Sequence, residues 1–313
     1  MTFCVKMKIL AIGDLHGRMP KIHFKNFDAI VQVGDVCSDK DFRPLKDKWL
    51  KEVEKNPKDA PNLHNYMIGQ VGKKKFNLMI KHSLERGREI LKYLNSFNKP
   101  VFIVPGNWDQ SEGRSRIKEA NIDKSNYNYL KYFLDSWLSN GINKKLTTGL
   151  KNIKDCQYHT HRFKGVNFVG YGISSNREMP GSIKRLKFNK EQLIKLKESY
   201  NKILNKLKNS YEKRDKKFLT VFISHNVPSN TKLDIIKLKK SKYHKKHFGS
   251  DVARWFCVRY QPLLCVGGHI HEGKGKDKLK KTTVINVGFG KDAIVLIDLD
   301  EKKKKVKNVK FLR

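Results

Sequence analysis

Short apolar runs recur along the chain, and most of them end in a glycine, a histidine or an aspartate. Residues 8–12 run into Gly13-Asp14, and residues 29–33 into Gly34-Asp35. Residues 101–104 lead to Pro105-Gly106-Asn107, 219–223 to Ser224-His225, and 263–266 to Gly267-Gly268-His269. Residues 283–287 and 293–299 follow without a charged tip. Continuous apolar stretches of this length suit strands buried on both faces. In open α/β sheets the ligand site lies just past the carboxyl ends of such strands. The successive polar tips therefore predict one sheet edge on which they converge.

Between these runs the apolar period changes. Residues 74–98 and 112–140 carry apolar side chains at mixed three- and four-residue spacing, which predicts helices. The clearest helix is 189–211, where Leu193, Leu196, Tyr200, Ile203, Leu204, Leu207 and Tyr211 mark one stripe among lysines. Asn189 and Gln192 form a capping box at its start. These helices are expected to pack on the sheet or cover its rim, with an oligomer contact as the alternative. Residues 55–62, with Pro57 and Pro61, and the Lys/Gly-rich 273–281 read as exposed loops.

Composition adjusts this picture in three ways. A chain of 313 residues can bury a substantial core and reads as one large α/β domain or one domain with insertions. The net charge of +37 raises the question of nucleic acid, because lysines that neutralise phosphates bind without sequence preference. Lysines outnumber arginines and spread over the whole chain, which favours a solvated, lysine-biased surface over a dedicated nucleic-acid face. The five cysteines (Cys4, Cys37, Cys156, Cys257, Cys265) show no metal-binding spacing and read as buried thiols in a reducing compartment. No run reaches the roughly 18 apolar residues of a membrane span. Residues 3–12, interrupted by Gly13-Asp14, make a poor signal peptide. The expected location is the cytoplasm, with no membrane partner.

In chain order the tips spell Asp14-Leu15-His16, Gly34-Asp35, Gly106-Asn107-Trp108-Asp109, His225, and Gly268-His269-Ile270-His271. Each alone is ordinary: an Asp after Gly often caps a helix or makes a turn, and a lone His is more often a satisfied core residue than a ligand. Together they supply the carboxylates and imidazoles that suit Mn, Fe or Zn. Asp14 and His16 sit two apart, as do His269 and His271, so in extended backbone each pair points to one side.

With these blocks in order, the chain resembles the calcineurin-like metallophosphoesterase superfamily, whose pattern is D-x-H, GD, GN-H-D/E, H and GHxH. The match spans residue 8 to about residue 290. Thr231–Asp234, His247–Ser250, 260–264 and 268–273 are similar to a mostly archaeal group of predicted phosphoesterases with undefined substrates. The resemblance implies a four-layer αββα sandwich within the α/β class, a single domain over 1–313 with helical insertions at about 40–98, 112–160 and 186–216. It implies two divalent ions, Mn foremost and Fe or Zn as alternatives. Asp14, His16 and His271 would hold one ion, and Asn107, His225 and His269 the other. Asp35 would bridge them at about 3.5–4 Å, and Asp109 would orient a ligand. The implied reaction is in-line attack on phosphorus by a metal-bridging hydroxide, with Asp35, Asn107, Asp109 and His225 as catalytic residues.

The chain departs from the family where Trp108 replaces the histidine of GN-H-D. Indole offers one N–H donor and no acid–base chemistry near neutrality, and general acid catalysis is worth about 10²–10⁴-fold. The chain then acts on diesters or good leaving groups, or uses another histidine (His247, His244 or His161), or binds metal and phosphate with little turnover. Trp108, His247 and Ser250 are the substrate-pocket candidates. Trp108 reads equally as a pocket wall, and Ser250 equally as the cap of a helix over 251–258. Asp234 and Glu272 read as supporting or surface residues, and His23, His64 and His82 as surface.

The sequence thus points to a metal-dependent phosphoester hydrolase that leans to phosphodiesters and takes a small phosphoester or nucleotide. The alternatives are a nuclease, with nucleic acid as the partner of the positive charge, and a metal-binding, non-catalytic scaffold. It leaves the oligomeric state open.

Overall fold

The computed structural model describes residues 6–55, 63–109, 141–174, 177–179, 190–239, 241 and 243–312. In chain order it contains β1 (Lys6–Ile12), β2 (Ala29–Gln32), α1 (Arg43–Lys55), α2 (Leu63–Val71), α3 (Lys73–Asn95) and β3 (Val101–Ile103). Next come α4 (Lys144–Thr147), β4 (Ile153–Asp155), β5 (Thr160–Phe163), β6 (Val166–Tyr171), α5 (Lys190–Glu212) and β7 (Leu219–Asn226). The rest is α6 (Asp251–Tyr260), β8 (Leu264–Gly268), β9 (Gly275–Leu279), β10 (Thr282–Asn286), β11 (Ile294–Asp300) and β12 (Lys305–Phe311).

The strands form two mixed sheets, ordered β12-β11-β1-β2-β3-β4 and β5-β6-β7-β8-β10-β9. In the first, β1 through β4 run parallel. In the second, β6, β7, β8 and β10 do the same. Their facing sides interdigitate: Ile9, Val31, Phe102 and Ile297 meet Phe168, Val221, Val266 and Ile285 in one buried core. Phe102 stacks on Phe168 with ring centroids 3.8 Å apart, a contact that fastens sheet to sheet.

Each outer face carries helices. Leu10, Ile30 and Ile103 bury against Ile90, Leu91 and Leu94 of α3. Val169, Phe222 and Cys265 bury against Leu196, Ile203 and Leu207 of α5 and Phe256 of α6. The result is the expected α/β arrangement of two sheets flanked by helices. Burying each such Leu, Ile or Phe contributes about 1.5–3 kcal/mol, which explains why runs apolar on both faces were needed in the central strands.

The stripe on α5 holds, except that Leu193 is solvent-exposed. Its capping box and the helix expected over 112–140 lie outside the described residues. Parts of the spans expected as insertions belong to the sandwich itself. Residues 153–155 form an edge strand of the first sheet, and α5 is a layer of the sandwich that covers the second sheet. Residues 275–279, read as loop, pair with β10 as an edge strand whose exposed positions are lysines. Such positions masked its pattern. Among the described residues, only α1, α2 and the start of α3 stand apart, on a cluster of Phe42, Leu45, Met67, Phe76 and Met79 against which Trp108 packs. No helix among the described residues is long and apolar enough to cross a membrane. Cys37, Cys156, Cys257 and Cys265 are buried.

Candidate metal centre

The carboxyl ends of β1, β2 and β3 face those of β7, β8 and β10, and two turns stitch the edges together. Asp14 N donates to Gly288 O at 3.1 Å, and Gly290 N donates to Asp14 O at 2.9 Å. Gln32 fastens the β2 end, accepting from Gly34 N (2.7 Å) and donating to Gly34 O (2.8 Å). Gly34 itself has φ +101°, and a Cβ there would meet Gly106 N at 2.4 Å. Only glycine lets the two turns lie this close. His16, Asp35 and His269 adopt positive φ without being glycine, a strain often stored where side chains must be aimed.

The side chains then converge. His16 Nε2 lies 3.3 Å from Asp35 Oδ2, and His271 Nε2 lies 3.4 Å from Asp14 Oδ2. His225 Nε2 is 3.6 Å from Asp35 Oδ2 and 2.8 Å from Asn107 Oδ1. His269 donates its backbone N–H to Asp14 Oδ2 at 2.7 Å, and its ring meets His225 edge-on at 5.0 Å. Two groups offer ligand atoms within 4.8 Å of one another: Asp14, His16 and His271, and Asp14, Asp35 and His225. Asp14 belongs to both. The structure therefore brings together Asp14, His16, Asp35, Asn107, His225, His269 and His271, which the sequence places far apart.

Several features of this cluster fit a bound cation. Asp14 Oδ1 is buried without a hydrogen-bond partner, which is costly unless something else satisfies it. The Nδ1 of fully buried His225 sits 2.9 Å from Val33 O. That bond makes Nδ1 a donor, and in the neutral ring the Nε2 lone pair would face Asn107 Oδ1, acceptor to acceptor. A cation between them resolves the conflict. Burial raises the Asp35 carboxyl above its usual range, helped by the Asp14 and Asp109 charges, against the pull of His225 and His16. Burial acts the same way on Asp14, but His225, His271 and His16 outweigh it and hold that carboxyl low. Two buried carboxylates in one cluster call for positive charge.

Asp109 touches only backbone. Its Oδ2 accepts from Asp35 N (2.6 Å) and Gly106 N (2.9 Å), and its Oδ1 from Cys37 N (3.0 Å). It clamps the turns that aim Asp35 and Asn107. Trp108 donates its backbone N–H to Asp35 Oδ1 at 2.7 Å, while its ring lies 5.8 Å from Phe42 and under Lys46. The indole is thus a wall between the centre and the helical insertion.

Ser250 caps α6, accepting from Ala253 N at 3.0 Å. The anion at that helix start is internal. Glu178 accepts from Ser250 Oγ (2.8 Å) and Asp251 N (2.6 Å) and is fully buried. Burial and the nearby Asp251 charge push its carboxyl up to about 7, against its hydrogen bonds. His247 Nδ1 bonds Asp234 Oδ1 at 2.7 Å, and Asp234 accepts from Thr231 N and Gly249 N to organise its loop. That loop abuts the His271–Gly273 turn through Asn286, which donates to Ile270 O and Leu233 O. His161 Nε2 lies 2.7 Å from Asp155 O and is committed to backbone. Glu272 accepts from Lys237 N at 3.3 Å.

Four residues at the centre escaped the motif reading. Asp39 Oδ2 sits 3.1 Å from His16 Nδ1 and orients that ring. Its carboxyl, raised by burial, is brought down to about 2 by His16 and Arg43. Phe289 stacks on His271 at 4.2 Å, and Arg18 and Arg43 lie against Phe289. The Gly288-Phe289-Gly290 step after an apolar run was the available signal.

An uncharacterized protein of Methanocaldococcus jannaschii is 27% identical over 286 residues, 90% of this chain and 87% of that protein. One crystal structure aligns over 99% of this chain and all of its own, with TM-score 0.54 and 16% identity, a likeness of fold. The structure of TT1561 of Thermus thermophilus aligns over 99% of this chain and all of its own, with TM-score 0.48 and 13% identity. The family model described as calcineurin-like phosphoesterase matches residues 7–273. With that match across most of its length, this chain belongs to the calcineurin-like phosphoesterase family.

Proposed function

We propose that this protein is a dinuclear phosphoester hydrolase that favours phosphodiesters, with a small phosphoester or nucleotide as substrate. The observation that carries the reading is the meeting, at one sheet edge, of two groups of carboxylate and imidazole ligand atoms that share Asp14, whose buried Oδ1 has no hydrogen-bond partner. Asp14, His16 and His271 would hold one ion. Asn107, His225 and His269 would hold the other, with Asp35 between the two. Mn²⁺ suits this mixed oxygen and nitrogen set, as do Fe and Zn. Two such ions, when bound, lower the pKa of water and neutralise charge that develops on a phosphoryl group.

The chain's own residues do the rest. Asp39 and Val33 O fix the rings of His16 and His225. Asp109 holds the turns bearing Asp35 and Asn107. Trp108 closes the side where a leaving group would depart and offers no proton there, which supports the preference for diesters and easily displaced leaving groups. The buried cysteines fit a reducing cytoplasm. A nuclease is the second reading, favoured by the net charge of +37; a steep loss of activity on single-stranded DNA with salt would select it.

Purified protein with Mn²⁺ should hydrolyse bis-p-nitrophenyl phosphate, and Asp35→Asn should reduce turnover at least about 10²-fold. Full activity in that variant would sink the bridging role of Asp35.

A further inference from the structure

Arg18 follows the Asp14–Gly17 turn and sits against the candidate metal centre without helping to hold it. Its guanidinium lies 4.6 Å from the centroid of the Phe289 ring, and its Nη1 is buried without a hydrogen-bond partner. Arg43, the first residue of α1, reaches the same ring at 5.5 Å. Its Nε is held 2.7 Å from Asp39 Oδ2, so its planar fork is fixed in place. Phe289 stacks on His271 and meets His16 edge-on at 5.4 Å. Two cationic forks thus share one aromatic platform whose neighbours are two of the candidate ligands.

The nearby carboxylates do not neutralise Arg18. Asp14 faces His269 and His271, Asp35 faces His16, His225 and Trp108, and Asp39 faces His16 and Arg43. Two guanidiniums gathered at one ring repel each other, and a buried N–H without an acceptor is costly. A tetrahedral anion with several oxygens relieves both conditions, since guanidinium matches phosphate in bidentate geometry. Arg18 meets the centre through Phe289 rather than through a ligand atom, so it stands beside the scissile position.

We propose that Arg18 and Arg43 form an anion subsite around Phe289 that receives a second, non-scissile phosphate of the substrate. This rests on the phosphoester-hydrolase reading above. The substrate class is a phosphodiester carrying another phosphate a short tether away, either terminal or as the next link of a dinucleotide. A neutral sugar or a base would leave Arg18 Nη1 without a charged acceptor.

Three chromogenic esters test it with the Mn²⁺-loaded protein: thymidine 5′-p-nitrophenyl phosphate, the same ester bearing a 3′-phosphate, and the dinucleotide whose second phosphate is a diester. The wild type should prefer one or both of the two-phosphate esters through KM. Arg18→Ala should collapse that preference by roughly 10- to 100-fold, the scale of a charge-assisted phosphate contact. Arg18→Lys, which keeps the charge and loses the fork, should fall between. The arm that loses its preference identifies a terminal or an internal phosphate.

Titration of pyrophosphate into protein held in EDTA supplies a readout without turnover, and its Kd should weaken at least about tenfold in Arg18→Ala. Equal KM for all three esters in the wild type would overturn the subsite, as would a preference that survives Arg18→Ala. If no ester is turned over, the hydrolase reading fails, and the titration alone decides whether the subsite binds phosphate.

Discussion

Asp109 offers a sharp test of how this centre is held together. Its carboxylate accepts from three backbone N–H groups, those of Asp35, Gly106 and Cys37, and it is almost completely buried. Asp109→Asn preserves shape but replaces one oxygen with an NH₂ group. The remaining oxygen would face the Asp35 and Gly106 amides, and the NH₂ would point at the Cys37 amide, donor against donor. One charge-assisted bond is lost, worth about 1.5–3 kcal/mol, and a buried N–H is left unpaired at about 1–3 kcal/mol. Repacking recovers part of this, so a net loss of roughly 2–4 kcal/mol is expected. In a chain of this size each kcal/mol moves Tm by about 2 °C, which gives a drop of roughly 4–8 °C. The same turns aim Asp35 and Asn107, so Mn²⁺ affinity should fall roughly 10- to 100-fold, as for other groups that orient metal ligands. Thermal unfolding in EDTA reads the first effect, and activity against free Mn²⁺ reads the second. Added metal should restore most of kcat. An unchanged Tm together with a kcat that saturating Mn²⁺ cannot restore would refute the reasoning and make Asp109 a catalytic residue.

Two further outcomes follow from the structure. Glu178 titrates near 7 in the folded protein against an ordinary value of 4.5; the folded state binds its proton more tightly, so the group's contribution is full below about pH 4.5 and is lost as pH rises through about 7. Urea midpoints at pH 5 and pH 8 should show wild type losing up to a few kcal/mol from this group, while Glu178→Gln shows a smaller difference; equal slopes would contradict it. Trp108→His should raise p-nitrophenyl phosphate turnover about tenfold or more if the missing acid limits the reaction, at a packing cost of about 1–3 kcal/mol from the Phe42 cluster; unchanged turnover would place the proton donor elsewhere.

What the sequence made legible is what local chemistry encodes. Runs apolar on both faces can only be central strands, and Gly-Asp or Gly-His at their ends marks where the backbone turns tightly beside a polar group. That was enough for buried strands and for bringing Asp14, His16, Asp35, Asn107, His225, His269 and His271 to one edge; the two-sheet sandwich came only from the family resemblance. Edge strands were less legible: β9 and β12 put lysine outward at alternate positions, so their composition looks like loop until pairing is known. The residues that orient the ligands were least legible, because each acts on a partner that the chain reaches by a long route. Glu178 meets Ser250 and Asp251 from more than 70 residues away, and no spacing rule links them. The helix start at Ser250 does present its amides to an anion, as the sequence allowed, but the anion is a carboxylate of the chain itself. An open helix N-terminus in a sequence therefore does not locate a substrate phosphate. Arg18 Nη1, buried without a partner among the described residues, is the better guide, since an unsatisfied N–H of a guanidinium beside a polar centre asks for an anion.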